Sequence, residues 1–330
     1  MNGVNAQVPD TSKLIVSSSP HLHDNKRDTR KFMLTIILTL VPACIVGVYI
    51  FGWPAVKVLL LTSLACVVLE SLFCKWRGVP STINDGSALL TGLLLGMILP
   101  AGTAWWMCLL GAILAMGLGK HLYGGLGYNI FNPALVGRAA LLIAFPQYMT
   151  SWNKPAPGNL FPDAVTTATP LDEVAQSASA QAANYWDYFL GNMPGCIGET
   201  SALALLAGGL VLIYLRYIRW QMPVSYIGTV ALITGIAYLI APETNADPLF
   251  HVLTGGLIIG AFYMATDPVT SPMSIKGVWI AGAICGVVTA AIRLGGNYPE
   301  GVNFSILFMN ALVPLIDRYT PNKPFGKRNK

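Results

Sequence analysis

Charge is what this sequence has least of. Asp, Glu, Lys and Arg make up 11% of its 330 residues, while 54% are hydrophobic; soluble domains carry about a quarter charged residues. That imbalance excludes an ordinary water-soluble domain and makes lipid the solvent for most of the chain. Cysteine is scarce as well. The six (Cys44, Cys66, Cys74, Cys108, Cys196 and Cys285) form no CxxC pair, which argues against a thiolate zinc site or an iron–sulfur cluster held by four cysteines. Five read as small apolar side chains in or beside spans, with only Cys196 near the outer surface. The four histidines, His21, His23, His121 and His251, are scattered and read as surface or interfacial. No Walker A lysine follows a glycine-rich loop, and no Ser, His and Asp or Cys and His arrangement has a hydrolase context. A cleavable leader is not visible either: the first thirty-one residues are polar and include Lys13, Lys26, Arg27, Arg30 and Lys31.

What is there is a succession of apolar runs bounded by Gly, Pro and charges. They predict ten helices, near 33–50, 55–73, 86–100, 104–119, 133–147, 200–215, 223–241, 249–265, 277–293 and 302–316. The runs at 86–100 and 133–147 fall short of the ~20 residues a straight span needs. Short or interrupted spans are tolerated where their backbone faces protein or a cavity, so they mark where a site would lie. With the N-terminus cytoplasmic, 16 of the 20 Lys and Arg fall on inside loops or tails, the asymmetry expected of inner-membrane proteins. The same asymmetry accounts for the net charge of +5 without a nucleic-acid partner.

The expected fold class is therefore all-α and polytopic, about ten transmembrane helices in two inverted five-helix repeats. It divides into a cytoplasmic segment 1–32, repeat 1 over 33–147, an extracytoplasmic loop 148–198, repeat 2 over 199–317 and a basic cytoplasmic tail 318–330. The repeat rests on two echoes: "LTGLLLG" (90–96) with "LTGGLIIG" (253–260), and "NPALV" (132–136) with "NALV" (310–313). Five spans per half reverse the orientation of the second half, as in many transporters, and direct attention to spans 3 and 8.

Several polar groups sit at these spans. Asp85, Gly86 and Ser87 open the third, and Glu199, Thr200 and Ser201 the sixth. An acid followed by small hydroxyl residues caps a helix start, and a helix start is also an anion site. Asp267 follows the eighth span. Asn132 opens the short fifth span, and Arg138 lies about one turn in, where a guanidinium needs an anionic partner. Glu70, inside or at the end of the second span, is the most buried-looking acid.

The outer loop carries "FPDAVTTATPLDEV", 161–174, with Thr166, Thr167 and Thr169 around Ala168. One reading is a polar loop in which Thr169 caps a helix begun by Pro170. A free hydroxyl there is also what a transferase would esterify.

"DAVTTATPL" (163–171) resembles the D-x-x-[S/T]-x-A-[S/T] pattern at which flavin transferases attach FMN by a phosphodiester. With "DGSALLTGLLLGMILP", "FNPALVGRA", "GCIGETSALA" and "ATDPVTSP", the chain resembles, over nearly its whole length, the RnfD family, the D-type subunits of Rnf (Rsx) ion-translocating oxidoreductase complexes. The B-type subunit of the sodium-pumping NADH:quinone reductase (NqrB) is similar, but usually has a longer N-terminal region than the 32 residues before the first span here.

The resemblance implies covalent FMN on Thr169, with Asp163, Thr166 and Ala168 as recognition positions. Glu199, Thr200 and Ser201 would lie near the phosphate. A second, noncovalent flavin such as riboflavin, or an ion path, would involve Asp85, Gly86, Ser87, Asn132, Arg138 and Asp267, with no metal. It further implies electron transfer between ferredoxin and NAD coupled to sodium or proton movement. The implied partners are the complex's other membrane subunits, its flavin-bearing G-type subunit, its iron–sulfur subunits, and a flavin transferase during maturation. The setting would be the bacterial cytoplasmic membrane, both termini inside and the FMN loop outside. A solute channel or transporter of inverted-repeat type is the competing expectation, and a scaffold whose loop docks an outer partner a third.

Overall fold

The computed structural model describes residues 14–16, 22–24, 28–162, 165–172, 185–243, 245–295 and 301–322. Asp163, most of the N-terminal segment, the tail from 323 and the polar stretch 173–184 lie outside them. Apart from the short antiparallel pairs β1 (Leu14–Val16) with β2 (Leu22–Asp24) and β3 (Trp152–Asn153) with β4 (Thr166–Thr167), the regular structure is helical.

The first half holds α1 (Thr29–Phe51), α2 (Trp53–Trp76), α3 (Ser87–Met97), α4 (Trp105–Gly117) and α5 (Pro133–Ala144). After the short α6 (Tyr185–Leu190) come α7 (Ala202–Tyr214) and α8 (Gln221–Ile240). Next are α9 (Pro248–Leu253) and α10, which begins at Leu257–Ile259 and continues as a π turn over Gly260–Met264. The series closes with α11 (Ile275–Gly295) and α12 (Val302–Tyr319). Ten apolar runs thus give ten helical segments at the expected places, the eighth in two pieces. Among the described residues, five helices are long and apolar enough to cross a membrane: Thr29–Phe51, Trp53–Trp76, Trp105–Tyr123, Gln221–Ile240 and Ile275–Gly295.

Local chemistry explains the ends. Asp28, Asn132, Ser201 and Asp247 each accept from a free N–H at the start of α1, α5, α7 and α9. Pro133 and Pro248 occupy first helical positions, where the missing donor costs nothing. α1 and α2 turn on Gly52, at φ +65°, against the carbonyls of Asn159 and Leu160. A side chain there would meet backbone.

Within the first half α2 packs on α3 and α4, and α4 on α5; within the second α8 packs on α9 and α11, and α11 on α12. Across the halves α1 pairs with α7, and α5 with α12. The echoed asparagines touch: the Asn132 N–H donates to Asn310 Oδ1 at 3.2 Å. Tyr226, Thr289 and Ser305 link α8, α11 and α12 through hydroxyl bonds of 2.7–2.8 Å. Outward faces are apolar and open, as at Leu38, Ile45, Leu64 and Leu239, a pattern that water disfavours and lipid accepts.

Gly92 makes the α2–α3 approach possible, since a Cβ there would lie 2.6 Å from Ser63 Cα and Thr62 O. Gly92→Ala is expected to destabilise the purified protein by about 1–3 kcal/mol through overpacking, read as a lower Tm. Gly228→Ala, with nothing within 4 Å of the added carbon, should leave Tm unchanged or raise it.

Candidate functional site

The eighth span breaks at Thr254–Gly256. Gly255 and Gly256 have φ of +69° and +66°, a left-handed pair that stops α9 and restarts the chain as α10. Arg293 of α11 donates to the carbonyls of His251, Thr254 and Gly255. A guanidinium thereby satisfies the C-terminal end of α9, where lipid could not.

The segment 165–172 is seated on this break. Pro170 and Leu171 are buried. Leu171 packs with Ala246 and Phe250 beside Tyr185 and Tyr188, its Cδ1 filling the space a Gly255 side chain would need. Tyr185 donates to Asp247, the N-cap of α9, at 2.8 Å. Desolvation, with that carboxylate, pushes its phenol up to about 12, so it stays a donor at physiological pH.

Thr169 begins the 170–172 turn as its N-cap. Its hydroxyl donates to Asp172 Oδ2 at 2.7 Å and accepts from the Asp172 N–H at 3.1 Å, while its own N–H donates to the same carboxylate at 3.2 Å. This is a reciprocal capping box with Asp in the third position. Thr169 is only 4% exposed, while Thr166 and Ala168 are exposed. Among the described residues, Thr167 Oγ1 and the Trp152 indole N–H facing it across the β3–β4 pair are buried without partners.

The residues at 196–201 pack between the halves. Cys196 is buried and donates to Ile98 O at 3.0 Å, so it is not an outer-surface thiol. Glu199 is buried in a short turn; Ser201 caps α7, and Thr200 donates to Ile197 O. Arg138 and Glu199 line one small cavity with Gly255, Gly256 and Asn303. Among the described residues neither amide atom of Asn303 has a partner, though it is 5% exposed.

A second polar centre lies at the opposite ends of α2 and α4. Glu70, 1% exposed, receives Lys120 Nζ on both oxygens (3.0 and 2.9 Å), faces His121 Nε2 at 2.8 Å and accepts from Thr82. Lys120, also 1% exposed, donates to Ser87 Oγ at 2.7 Å. Lys120, read from sequence as a loop cation, is thus a buried partner, and His121 and His251 are buried rather than surface histidines. Glu70, Cys74 and His121 bring ligand atoms within 4.8 Å of one another. The Lys120 ammonium already neutralises the carboxylate, so the cluster reads as an ion pair rather than a metal centre.

Beside this pair lies a small cavity of about 60 Å³, well below the ~300–1,000 Å³ of ligand pockets. Phe32, Phe262 and Tyr263 line it, with Ser87, Lys120, Asn129, Asn132 and Asp267 as polar groups. Among the described residues Asn129 Oδ1 is buried without a partner. Asp267 folds back on its own turn, accepting from the Val269 N–H and the Thr270 hydroxyl. Asn132 Oδ1 caps α5, and Asp85 accepts from the Ser87 N–H at 2.7 Å beside Gly86 in left-handed conformation.

The candidate residues therefore separate into two places. Ser87, Asn132 and Asp267 share that cavity; Thr169, Glu199 and Arg138 lie toward the broken eighth helix. The sequence reading missed Lys120, His121 and Asn129, and one signal for them was available: an acid at the depth of Glu70 requires a partner.

The family described as NQR2, RnfD, RnfE matches residues 15–326. The chain is 47% identical over 321 residues to the D-type subunit of the proton-translocating ferredoxin:NAD(+) oxidoreductase complex of Clostridium ljungdahlii, covering 95% of this chain and 96% of that one. It is 41% identical to the D-type subunit of the ion-translocating oxidoreductase complex of Stutzerimonas stutzeri, over 90% and 92% of the two chains. It is 39% identical to that of Escherichia coli, over 95% and 98%.

Glu70→Ala, which strands the Lys120 charge, is expected to destabilise the protein by about 3–5 kcal/mol, measured as loss of Tm and of monodisperse material. Combining it with Lys120→Met should restore most of that loss.

Proposed function

The chain belongs to the NQR2, RnfD, RnfE family, and from that premise we propose that it is the membrane-embedded flavoprotein subunit of an Rnf-type complex. In this reading it carries electrons between ferredoxin and NAD in step with sodium or proton translocation. The observation that carries it is the D-x-x-T-x-A-T segment ending in Thr169, in a chain that matches D-type relatives over nearly its whole length. The other subunits of the complex supply the ferredoxin and NAD sites, and a flavin transferase supplies the ester.

The proposed topology has ten passes, both termini in the cytoplasm and the loop 148–198 outside, in a bacterial inner membrane. Matching packing within the two halves and the Asn132–Asn310 bond between them support an inverted repeat. Aromatic residues support the boundaries: Trp76, Tyr214 and Tyr319 end α2, α7 and α12 at the inner side, and exposed Trp53 and Trp105 begin α2 and α4 at the outer side.

A flavin accepts or gives one or two electrons, so a bound one joins carriers of different type. For FMN the chain offers the Thr169 hydroxyl, with exposed Thr166 and Ala168 as positions a transferase reads. Thr167 Oγ1 and the Trp152 N–H are unused donors two residues and one strand away. A second, noncovalent flavin is proposed at the cavity beside Lys120, whose walls would have to part to admit it. Phe32, Phe262 and Tyr263 give that cavity apolar walls, Asn129 Oδ1 is an acceptor without a donor among the described residues, and Ser87 and Asn132 line the polar side. Lys120 stays fixed by Glu70 and Ser87, so a positive charge stands at the wall where reduction would add negative charge.

Two variants separate the stations. After maturation beside a flavin transferase, Thr169→Val is expected to lose flavin fluorescence in a denaturing gel while keeping dissociable flavin. Thr91→Trp, which fills the cavity from α3, is expected to do the reverse. An unmodified wild-type chain from such a host would return the reading to a solute channel.

A further inference from the structure

The acceptor hydroxyl and the residues that flank it are presented in opposite ways. Thr166 and Ala168 are exposed, whereas Thr169, Pro170 and Leu171 are buried. Both faces of the Thr169 hydroxyl are used by one residue: Asp172 accepts its proton and donates its own N–H to the oxygen. Leu171 pins the same turn onto the Gly255 break, among Ala246, Phe250, Tyr185 and Tyr188. In this arrangement the hydroxyl oxygen cannot reach a phosphorus atom held by another protein, because Thr169 is 4% exposed and its hydroxyl is hydrogen-bonded on both sides.

We infer that the Thr169–Asp172 capping box is a latch. Closed, it hides the acceptor; flavin transfer takes place from the opened segment, and the ester, once made, keeps the latch from closing again. The inference rests on the reading of Thr169 as the flavin acceptor. In the transfer, the Thr169 O–H bond breaks and a bond forms between its oxygen and the flavin-side phosphorus of a flavin adenine dinucleotide. The bond between the two phosphates breaks, AMP departs with the electron pair, and the hydroxyl proton passes to solvent.

The product lacks the donor that Asp172 Oδ2 received. It also places a phosphodiester anion within hydrogen-bond range of that carboxylate, and like charges so close repel. Thr169 and Asp172 can share one turn before modification but not comfortably after it. The box therefore orders maturation: an unmodified loop rests on α9, and a modified loop carries its cofactor away from that seat. Asp172 is a positioning residue in this scheme, acting through the turn and not on the donor.

The test uses full-length protein, purified in detergent from a host without a flavin transferase, then mixed with a transferase and FAD. The initial rate of covalent labelling is read by in-gel flavin fluorescence. Asp172→Ala is expected to label about fivefold faster than wild type, the population change that follows from losing an N-terminal cap. Leu171→Ala, which loosens the seat without touching the box, should also label faster and serves if Asp172→Ala folds poorly. Hydrogen exchange at 166–172 should be faster in esterified than in unmodified wild type. Equal or slower labelling of both variants, or equal exchange before and after modification, overturns the latch while leaving Thr169 as acceptor. No label at Thr169 in wild type, in either variant or in wild type unfolded in urea overturns the acceptor reading, and the latch with it.

Discussion

A helix that stops inside a membrane must have its open backbone groups satisfied by protein, because lipid offers no partner. Much of this structure answers that constraint. The eighth span stops at Gly255–Gly256, and Arg293 reaches from α11 to take up three carbonyls. The third span begins after Gly86 with Asp85 on the Ser87 N–H, and the fifth begins with Asn132 on the Ala134 N–H. Each interruption recruits a polar side chain, and those side chains bring water-loving chemistry to depths where the chain is otherwise apolar.

The same logic governs the charges. Glu70 and Lys120 come from α2 and from just beyond α4, and each is tolerable only because the other is there. Their pairing fixes Ser87 at the start of α3 and holds Lys120 in the wall of the cavity there. Toward the broken eighth span, Asp247 caps α9 and holds Tyr185, while Leu171 closes over the break. The attachment segment is thus part of the packing around span 8 and not a free tether. In the proposed reading two flavin stations sit on opposite sides of the membrane.

Much of this was legible in the sequence, for physical reasons. Long apolar runs report helices directly, so all ten segments appear where hydropathy put them. The small residues of "LTGG" marked span 8, although the break itself depends on two left-handed glycines that periodicity does not register. Thr169 as a helix cap followed from Pro170 and the polar stretch behind it. Asp172 as its reciprocal partner was not seen, because the familiar box has Glu or Gln in that place. Tertiary pairings were the least legible. Lys120 and His121 follow an apolar run and read as a loop, and only the fold shows that α2 and α4 bring Glu70 to them. Cys196 likewise looked external until its bond to Ile98 O placed it between the halves. Asp163 lies outside the described residues, and its part in recognition rests on the motif alone.

The proposed function places one flavin by a bond at Thr169 and a second, without a bond, where the cavity beside Asn129 would open. Acid precipitation of the matured, purified chain, followed by flavin assay of pellet and supernatant, tests it most directly. The account predicts close to one flavin per chain in each fraction, the pelleted one mapping by mass to the peptide containing Thr169. All flavin in the supernatant, or a bare Thr169 in protein from a host with a working transferase, would contradict it.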